Sequence, residues 1–285
     1  MTIVVTGATG HLGRLVVESL LRTGTPAADI VAAGRSVEKL DDLAAQGVRV
    51  ARIDFTEPAS LEAAFAGADT VLLVSSSEVG QRAAQHIAAI DAAKAAGVGR
   101  LVYTSAPGAT TSALILAPEH KATEEYLVAS GIPFTILRNG WYTENYTNSA
   151  RQAAESGTLA SSTGEGRVAS APRSDYADAA AAVLVGEGHE GRTYELAGDY
   201  AWTHEELAAA IAEVTGKPVA FVSLTGEEQV AALIAAGLDE GTAGFVAGLD
   251  GNIRDGLLAG GSGELAALIE RPTVPLRETL AAELA

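Results

Sequence analysis

The chain has 285 residues, enough for one large domain or two closely joined ones, and at that size about 75% of the unfolded surface can be buried without disulfide or metal staples. With 19 basic against 36 acidic side chains the formal charge is −17, which argues against nucleic acid and anionic membrane as partners because both would be repelled. There is no cysteine, so disulfides, thiolate metal sites and cysteine nucleophiles are excluded and a reducing, cytoplasmic setting fits best.

The opening Met1-Thr2-Ile3-Val4-Val5-Thr6-Gly7 has no positive region and enters a strand at once, so no signal peptide is expected. Strands are predicted over 3–6, 30–34, 48–53, 70–74, 100–104 and 134–138, with helices near 11–22, 37–45, 60–65, 79–96 and 117–129 between them. Such alternation predicts an α/β fold with a doubly wound parallel sheet covered by helices on both faces. The strands read as continuous apolar runs, as for strands buried on both sides. After Asn139 helices dominate, with β-type runs only near 193–197 and 219–224. Thr203 with Glu206, and Thr225 with Glu228, form capping boxes that start helices. The tail, 239–285, reads as short helices broken at Gly260-Gly261 and Pro272, and its apolar Ala/Leu content leaves a homodimer open. No apolar run reaches the roughly 20 residues of a membrane-spanning helix. The expected organisation is a first domain over 1–138, completed by segments from 155–200, and a smaller, mainly helical domain over 139–285.

The segment Val4-Val5-Thr6-Gly7-Ala8-Thr9-Gly10-His11-Leu12-Gly13 leaves a strand and opens a helix. Gly7 permits the sharp turn, Gly10 lets backbone N–H groups approach a pyrophosphate, and Gly13 allows close helix–strand packing. Negative phosphates then meet the positive end of the helix dipole. A glycine turn alone is weak evidence; the complete strand–turn–helix context makes this a Rossmann-type dinucleotide site. A site for NAD places an acid about 20 residues after the glycines, on the ribose 2′-hydroxyl. Here the second strand ends in Ala33-Gly34-Arg35-Ser36, with no acid. Arg35 offers a fork of donors suited to a 2′-phosphate, which selects NADP(H); the plain alternative is a solvated loop arginine. Asp54-Phe55, after the third strand, is placed to meet the adenine, unless Asp54 simply caps a turn. Ser75, Ser76 and Ser77 follow the fourth strand, where hydroxyls suit ribose or pyrophosphate, or a bare loop.

The catalytic pair of ordinary short-chain reductases, Tyr-x-x-x-Lys, is absent: none of the seven tyrosines has lysine four residues on. The five histidines show no metal-ligand spacing, and there is no Gly-x-Ser-x-Gly elbow. A cofactor must therefore carry the chemistry, and an acceptor that is already electrophilic, such as a quinone, needs little acid help.

Thr6–Gly13, the helix Pro118-Glu119-His120-Lys121-Ala122-Thr123-Glu124 and the string Leu137-Arg138-Asn139-Gly140-Trp141-Tyr142-Thr143-Glu144-Asn145-Tyr146 resemble the NmrA-like atypical short-chain dehydrogenases, and most closely their bacterial type 2 NADPH:quinone oxidoreductase branch. The segments 170–177 and 188–198 extend the likeness, which is weakest over 238–263. The resemblance implies NADP(H) binding without a flavin and two-electron reduction of small quinones; with no ligand spacing for a metal either, the expected partner is a small aromatic or quinone substrate. It also implies that Gly7, Thr9, Gly10, His11, Leu12, Gly13 and Arg35 hold the cofactor's phosphates, and that Arg138, Asn139, Glu144 and Asn145 lie near the nicotinamide and the substrate. His120 and Lys121 are candidates for proton handling, Lys121 also for the nicotinamide ribose. Asn139 and Tyr142 complete the catalytic candidates; Tyr142 and Tyr146 offer flat faces for a planar acceptor, or pin the fold, as is expected of Trp141. Two other readings stay open: a redox-sensing regulator that binds NADP(H) without turnover, and a reductase of another conjugated acceptor such as a dye or an enone.

Overall fold

In the computed structural model, which describes residues 1–285, the chain forms two compact units. The first comprises Met1–Thr110, Leu116–Asn139 and Arg173–Glu195; the second comprises Thr111–Ile115, Gly140–Pro172 and Leu196–Ala285.

The sheet of the first unit contains β1 (Ile3–Val5), β2 (Ile30–Gly34), β3 (Arg49–Arg52), β4 (Thr70–Leu73), β5 (Arg100–Ser105) and β6 (Phe134–Asn139), with β9 (Arg192–Leu196) beside β6. Its helices are α1 (His11–Arg22), α2 (Asp41–Ala45), α3 (Pro58–Phe65), α4 (Arg82–Ala95), α5 (Ala117–Ser130) and α7 (Arg173–Val185). The strand order is β3-β2-β1-β4-β5-β6-β9, and every pair from β3 to β6 is parallel. Chain order reverses between β1 and β4, and in open α/β sheets the crevice at the carboxyl ends beside that reversal is where ligands bind.

The pleat sorts the strand residues. Val4, Val31, Ala33, Val71, Leu73, Leu101, Tyr103 and Ile136 share one core with Leu61, Phe65, Ile90 and Leu127 of α3, α4 and α5. The residues between them, Ile3, Val5, Ile30, Ala32, Leu72 and Val102, are equally buried and turn to the opposite face. On α1, Leu12, Gly13, Val16, Val17 and Leu20 recur at helical spacing and are buried. α1 packs along α7, where Asp178 accepts from Ser19 Oγ at 2.8 Å and pairs with Arg22.

Not every strand is buried on both faces as expected. β3 reads Arg49-Val50-Ala51-Arg52, lies at the sheet edge and exposes both arginines; charge on an edge strand discourages pairing with another chain. The helix expected over 37–45 is a 3-10 turn, Val37–Leu40, followed by α2, and the one expected from 79 begins only at Arg82.

The second unit holds α6 (Thr147–Ser156), β7 (Thr158–Ser161), β8 (Arg167–Val168), β10 (Trp202–Thr203), α8 (His204–Thr215), β11 (Ala220–Ser223), α9 (Gly226–Ala235), α10 (Glu240–Arg254), α11 (Glu264–Ile269) and α12 (Leu276–Leu284). β7 pairs with β11 and β8 with β10 in two small sheets. β7, β8 and β10 were not among the predicted strands, being too short and polar to show a period. Both capping boxes are formed, at α8 and at α9. No helix is long and apolar enough to cross a membrane.

Arg100 stabilises the sheet-to-helix packing of the first unit in a specific way. The residue is buried, and its Nη2 donates to the carbonyls of Val183 and Leu184 at 2.9 Å each. These carbonyls end α7, where a cation also meets the negative end of the dipole. Arg100→Met is expected to cost about 1–3 kcal/mol by leaving both carbonyls unmet. Urea unfolding should show a lower midpoint with an unchanged slope; an unchanged midpoint would count against the cap.

Candidate functional site

The turn after β1 is built around backbone too close for side chains. Gly7 has φ +63°, and Gly10 N donates to Gly7 O at 2.9 Å. A Cβ on Gly13 would lie 2.5 Å from that same Gly7 O, so only glycine lets α1 come this near the strand. Gly10 caps α1 without a side-chain hydrogen bond, and the first turn carries no acid. The leading N–H groups of α1 therefore have no competing carboxylate and stand at the positive end of the dipole. That is a fit for a pyrophosphate. Thr9 and Leu12 sit in this turn, Leu12 buried, while Gly10 and His11 are exposed at its mouth.

Gly34 belongs to the same construction, although only its neighbour Arg35 stood out in the sequence. Its Cβ would fall 2.6 Å from Thr9 Cγ2, so the second strand can end against the glycine turn only because nothing projects there. Two threonines fasten the next strand: Thr6 Oγ1 accepts from Val74 N at 3.0 Å, and Thr104 Oγ1 accepts from Ser75 N at 2.9 Å. These spatial pairings join residues far apart in the chain and left no local signal.

Arg35 extends from the tip of β2 with 69% of its side chain exposed, and Nη1 donates to Glu78 Oε1 at 3.0 Å. No acid stands at the tip of β2, in Ala33-Gly34-Arg35-Ser36, but the segment after β4 supplies one. Ser75, Ser76 and Ser77 lie on that segment. Ser76 N donates to His86 Nε2 at 2.9 Å, and Ser76 Oγ accepts from Glu78 N at 3.2 Å. Asp54 behaves as a turn residue: Oδ1 accepts from Thr56 N at 2.9 Å and Thr56 Oγ1 at 2.7 Å, and these bonds hold its carboxyl below the ordinary range. Phe55 meets the edge of His86 at 6.4 Å between ring centres. Arg14 serves the helix surface, bonded to Glu18, Asp42 and the Lys39 carbonyl.

Behind the loop lies a buried row of rings. His86 meets Tyr103 at 5.3 Å, and Tyr103 meets His120 at 6.0 Å. Because His86 Nε2 accepts from an amide, its proton sits on Nδ1, which donates to Thr123 Oγ1 at 3.0 Å; that hydroxyl in turn donates to the Glu119 carbonyl. His120 Nδ1 is 2.7 Å from Tyr103 Oη. Burial drives both histidines down to about 3, with Arg82 adding to the effect on each, and it drives the Tyr103 phenol up. His120, a candidate for proton transfer, is thus a neutral core histidine with no proton to give as an acid near pH 7. Lys121 is half-exposed and faces Glu125 one helical turn on, at 3.9 Å.

Arg138, expected near the cofactor, has its guanidinium engaged within the protein. Nε and Nη2 make a fork to Glu124 at 2.9 and 2.6 Å, Nη1 reaches Glu195 at 2.7 Å, and Nη2 reaches Thr110 Oγ1 at 3.0 Å. With these bonds made, the guanidinium ties β6 to α5 and β9. Asn139 is buried at the end of β6. The remaining candidates belong to the second unit. Tyr142 bridges to Ala171, and Glu144 and Asn145 lie in the 3-10 turn Thr143–Tyr146. Tyr146 is buried against Trp202 and His204 at 4.9 and 5.5 Å, so it pins this unit and offers no open face to an acceptor. The structure therefore gathers Gly7–Gly13, Gly34, Arg35 and Ser75–Ser77 at one sheet edge, and gives His120, Arg138 and Tyr146 structural work.

Residues 7–186 match the NAD(P)H-binding family. Quinone oxidoreductase 2 of Escherichia coli (strain K12) is 49% identical over 278 residues, covering 98% of this chain and 97% of that protein. The structure of the E. coli NADPH-dependent quinone oxidoreductase QOR2 complexed with NADPH superposes with a TM-score of 0.95 at 48% identity, covering 100% of each chain. The Citrobacter sp. triphenylmethane reductase complexed with NADP(H) gives 0.94 at 40% identity, covering 99% of this chain and 100% of that one.

Two outcomes follow from this geometry. The folded state keeps His86 and His120 neutral down to about 3 and His204 to about 4, whereas the unfolded chain protonates them near 6.5. The unfolded state then binds more protons, so stability is full above about 6.5 and falls as pH drops toward 3, by about 1.4 kcal/mol per pH unit for each histidine. Urea midpoints measured from pH 7 to 4 should fall steadily, and less so for His86→Gln; a flat profile would contradict neutral burial. Separately, Arg138→Met takes the cation from the buried Glu124 carboxylate and leaves it the Ser105 hydroxyl, and a loss of about 3–5 kcal/mol is expected in the same assay.

Proposed function

The chain belongs to the NAD(P)H-binding family, and on that premise we propose that it is an NADPH-dependent oxidoreductase that passes a hydride to a small quinone. What carries the reading is the closed glycine cradle with Arg35 at its rim, in a chain alike over nearly its whole length to the E. coli quinone oxidoreductase 2.

Gly7, Gly10 and Gly13 with the leading amides of α1 would hold the pyrophosphate, Arg35 the 2′-phosphate, and Thr9 the junction between the two turns. Ser75–Ser77, at the carboxyl end of β4, would border the ribose. Bound there, the dinucleotide supplies two electrons and a proton to the acceptor as one hydride. The protein's part is to fix donor and acceptor in register, which alone can lower a barrier by several kcal/mol. A quinone that accepts hydride becomes a stable hydroquinone anion and takes its second proton from water. The lack of a Tyr-x-x-x-Lys pair and of an acidic histidine therefore costs this reaction little. A triarylmethane dye is also an electrophilic hydride acceptor, and the likeness to the Citrobacter sp. reductase places such dyes second on the acceptor panel.

Anaerobic stopped-flow oxidation of NADPH and NADH against quinones and cationic dyes tests the reading. Rapid NADPH oxidation by a quinone is the expected outcome; tight NADPH binding with no acceptor speeding its oxidation would replace the enzyme by a redox sensor. Arg35→Ala should weaken NADPH roughly tenfold or more, the worth of a charged hydrogen-bonded contact, and leave NADH nearly unchanged. Equal losses for both cofactors would remove Arg35 from the 2′-phosphate.

A further inference from the structure

The fold brings a carboxylate to Arg35 from a segment 43 residues away in sequence, and that carboxylate is fixed in place. Glu78 Oε1 accepts from Arg35 Nη1 at 3.0 Å, and Oε2 accepts from Gln85 Nε2 at 2.7 Å. Gln85 is only 6% exposed and its Oε1 has no partner, so its amide is anchored through Glu78. The segment that carries Glu78 is itself held from below. Ser76 N donates to the buried His86, Ser76 O accepts from the buried Arg82 at 2.7 Å, and Arg82 pairs with Glu119 at 3.0 Å, which also accepts from Gly80 N. Glu78 cannot swing away from Arg35 without giving up the bond to a buried amide.

We propose that Glu78 is a specificity-determining residue for the cofactor: an internal carboxylate that competes with the 2′-phosphate for Arg35 and so limits how far NADPH is preferred over NADH. This rests on the reading of Arg35 as the 2′-phosphate ligand. Two anions share one guanidinium fork, and a phosphate bearing about two negative charges is repelled by a carboxylate on the same fork. A ribose 2′-hydroxyl is neutral and a donor, so it meets Glu78 without penalty and can hydrogen-bond to it. In NAD sites that task falls to an acid after the second strand; here an acid after the fourth strand pairs with the arginine that would read that group. Arg35 and Glu78 therefore pull in opposite directions on cofactor choice.

Titration calorimetry with NADPH and NADH on the full chain tests this, using Glu78→Gln, Arg35→Ala and the double variant. The glutamine can still accept from Gln85, so the loop keeps its anchor, and an unchanged melting temperature checks this. Glu78→Gln is expected to tighten NADPH about two- to fivefold, the scale of an exposed ion pair, without tightening NADH. The gain should shrink as salt is raised and vanish in the Arg35→Ala background. NADPH bound no better than by wild type, or both cofactors tightened equally, overturns the role of Glu78. A gain that persists in full without Arg35 overturns the competition. An NADPH-to-NADH ratio left unchanged by Arg35→Ala alone instead sinks the reading of Arg35, and this inference with it.

Discussion

Everything at the carboxyl edge of the sheet depends on the approach of α1 to the turn after β1. Gly13 stands where any side chain would strike the Gly7 carbonyl, and the helix can therefore start directly over the strand. That closeness aims its leading amides, unanswered by any acid in the first turn, at the space beyond β1. It also brings Thr9 against Gly34, which fixes the tip of β2 and so the point from which Arg35 projects. The proposed phosphate site and the residue proposed to read its extra charge thus share one steric origin.

Around this contact the first unit separates two kinds of polar group. One kind is open to solvent and able to exchange partners: the Arg35 guanidinium, which pairs with the anchored Glu78, and the hydroxyls after β4. The other is wholly or largely buried and held by several partners or in one tautomer. His86 holds the loop amide of Ser76 in a single tautomer, Arg138 ties α5 and β9 to β6, and Arg100 ends α7. Buried groups of this kind are costly to leave half-satisfied, and their satisfaction makes the sheet edge a fixed platform. Catalysis by a bound hydride donor asks for such a platform more than for an acid, because the gain is mainly in orientation.

The sequence by itself determined the architecture, because strand and helix periods and the strand–turn–helix glycines are local. Its strands in the first unit are displaced by no more than a residue or so, and the helix at 11–22 and both capping boxes form as written. It also singled out Arg35, since the absence of an acid after β2 is visible in four consecutive residues. Local pattern failed where partners are distant. Only the fold brought Glu78 to Arg35 and Gly34 to Thr9, buried His120 against Tyr103, and spent Arg138 on Glu124 and Glu195. Charge and hydrogen-bonding capacity are properties of a residue, and the sequence shows them. Whether that capacity is free for a ligand or consumed within the protein depends on which side chains the sheet and its crossovers place beside it, and only the tertiary structure decided that.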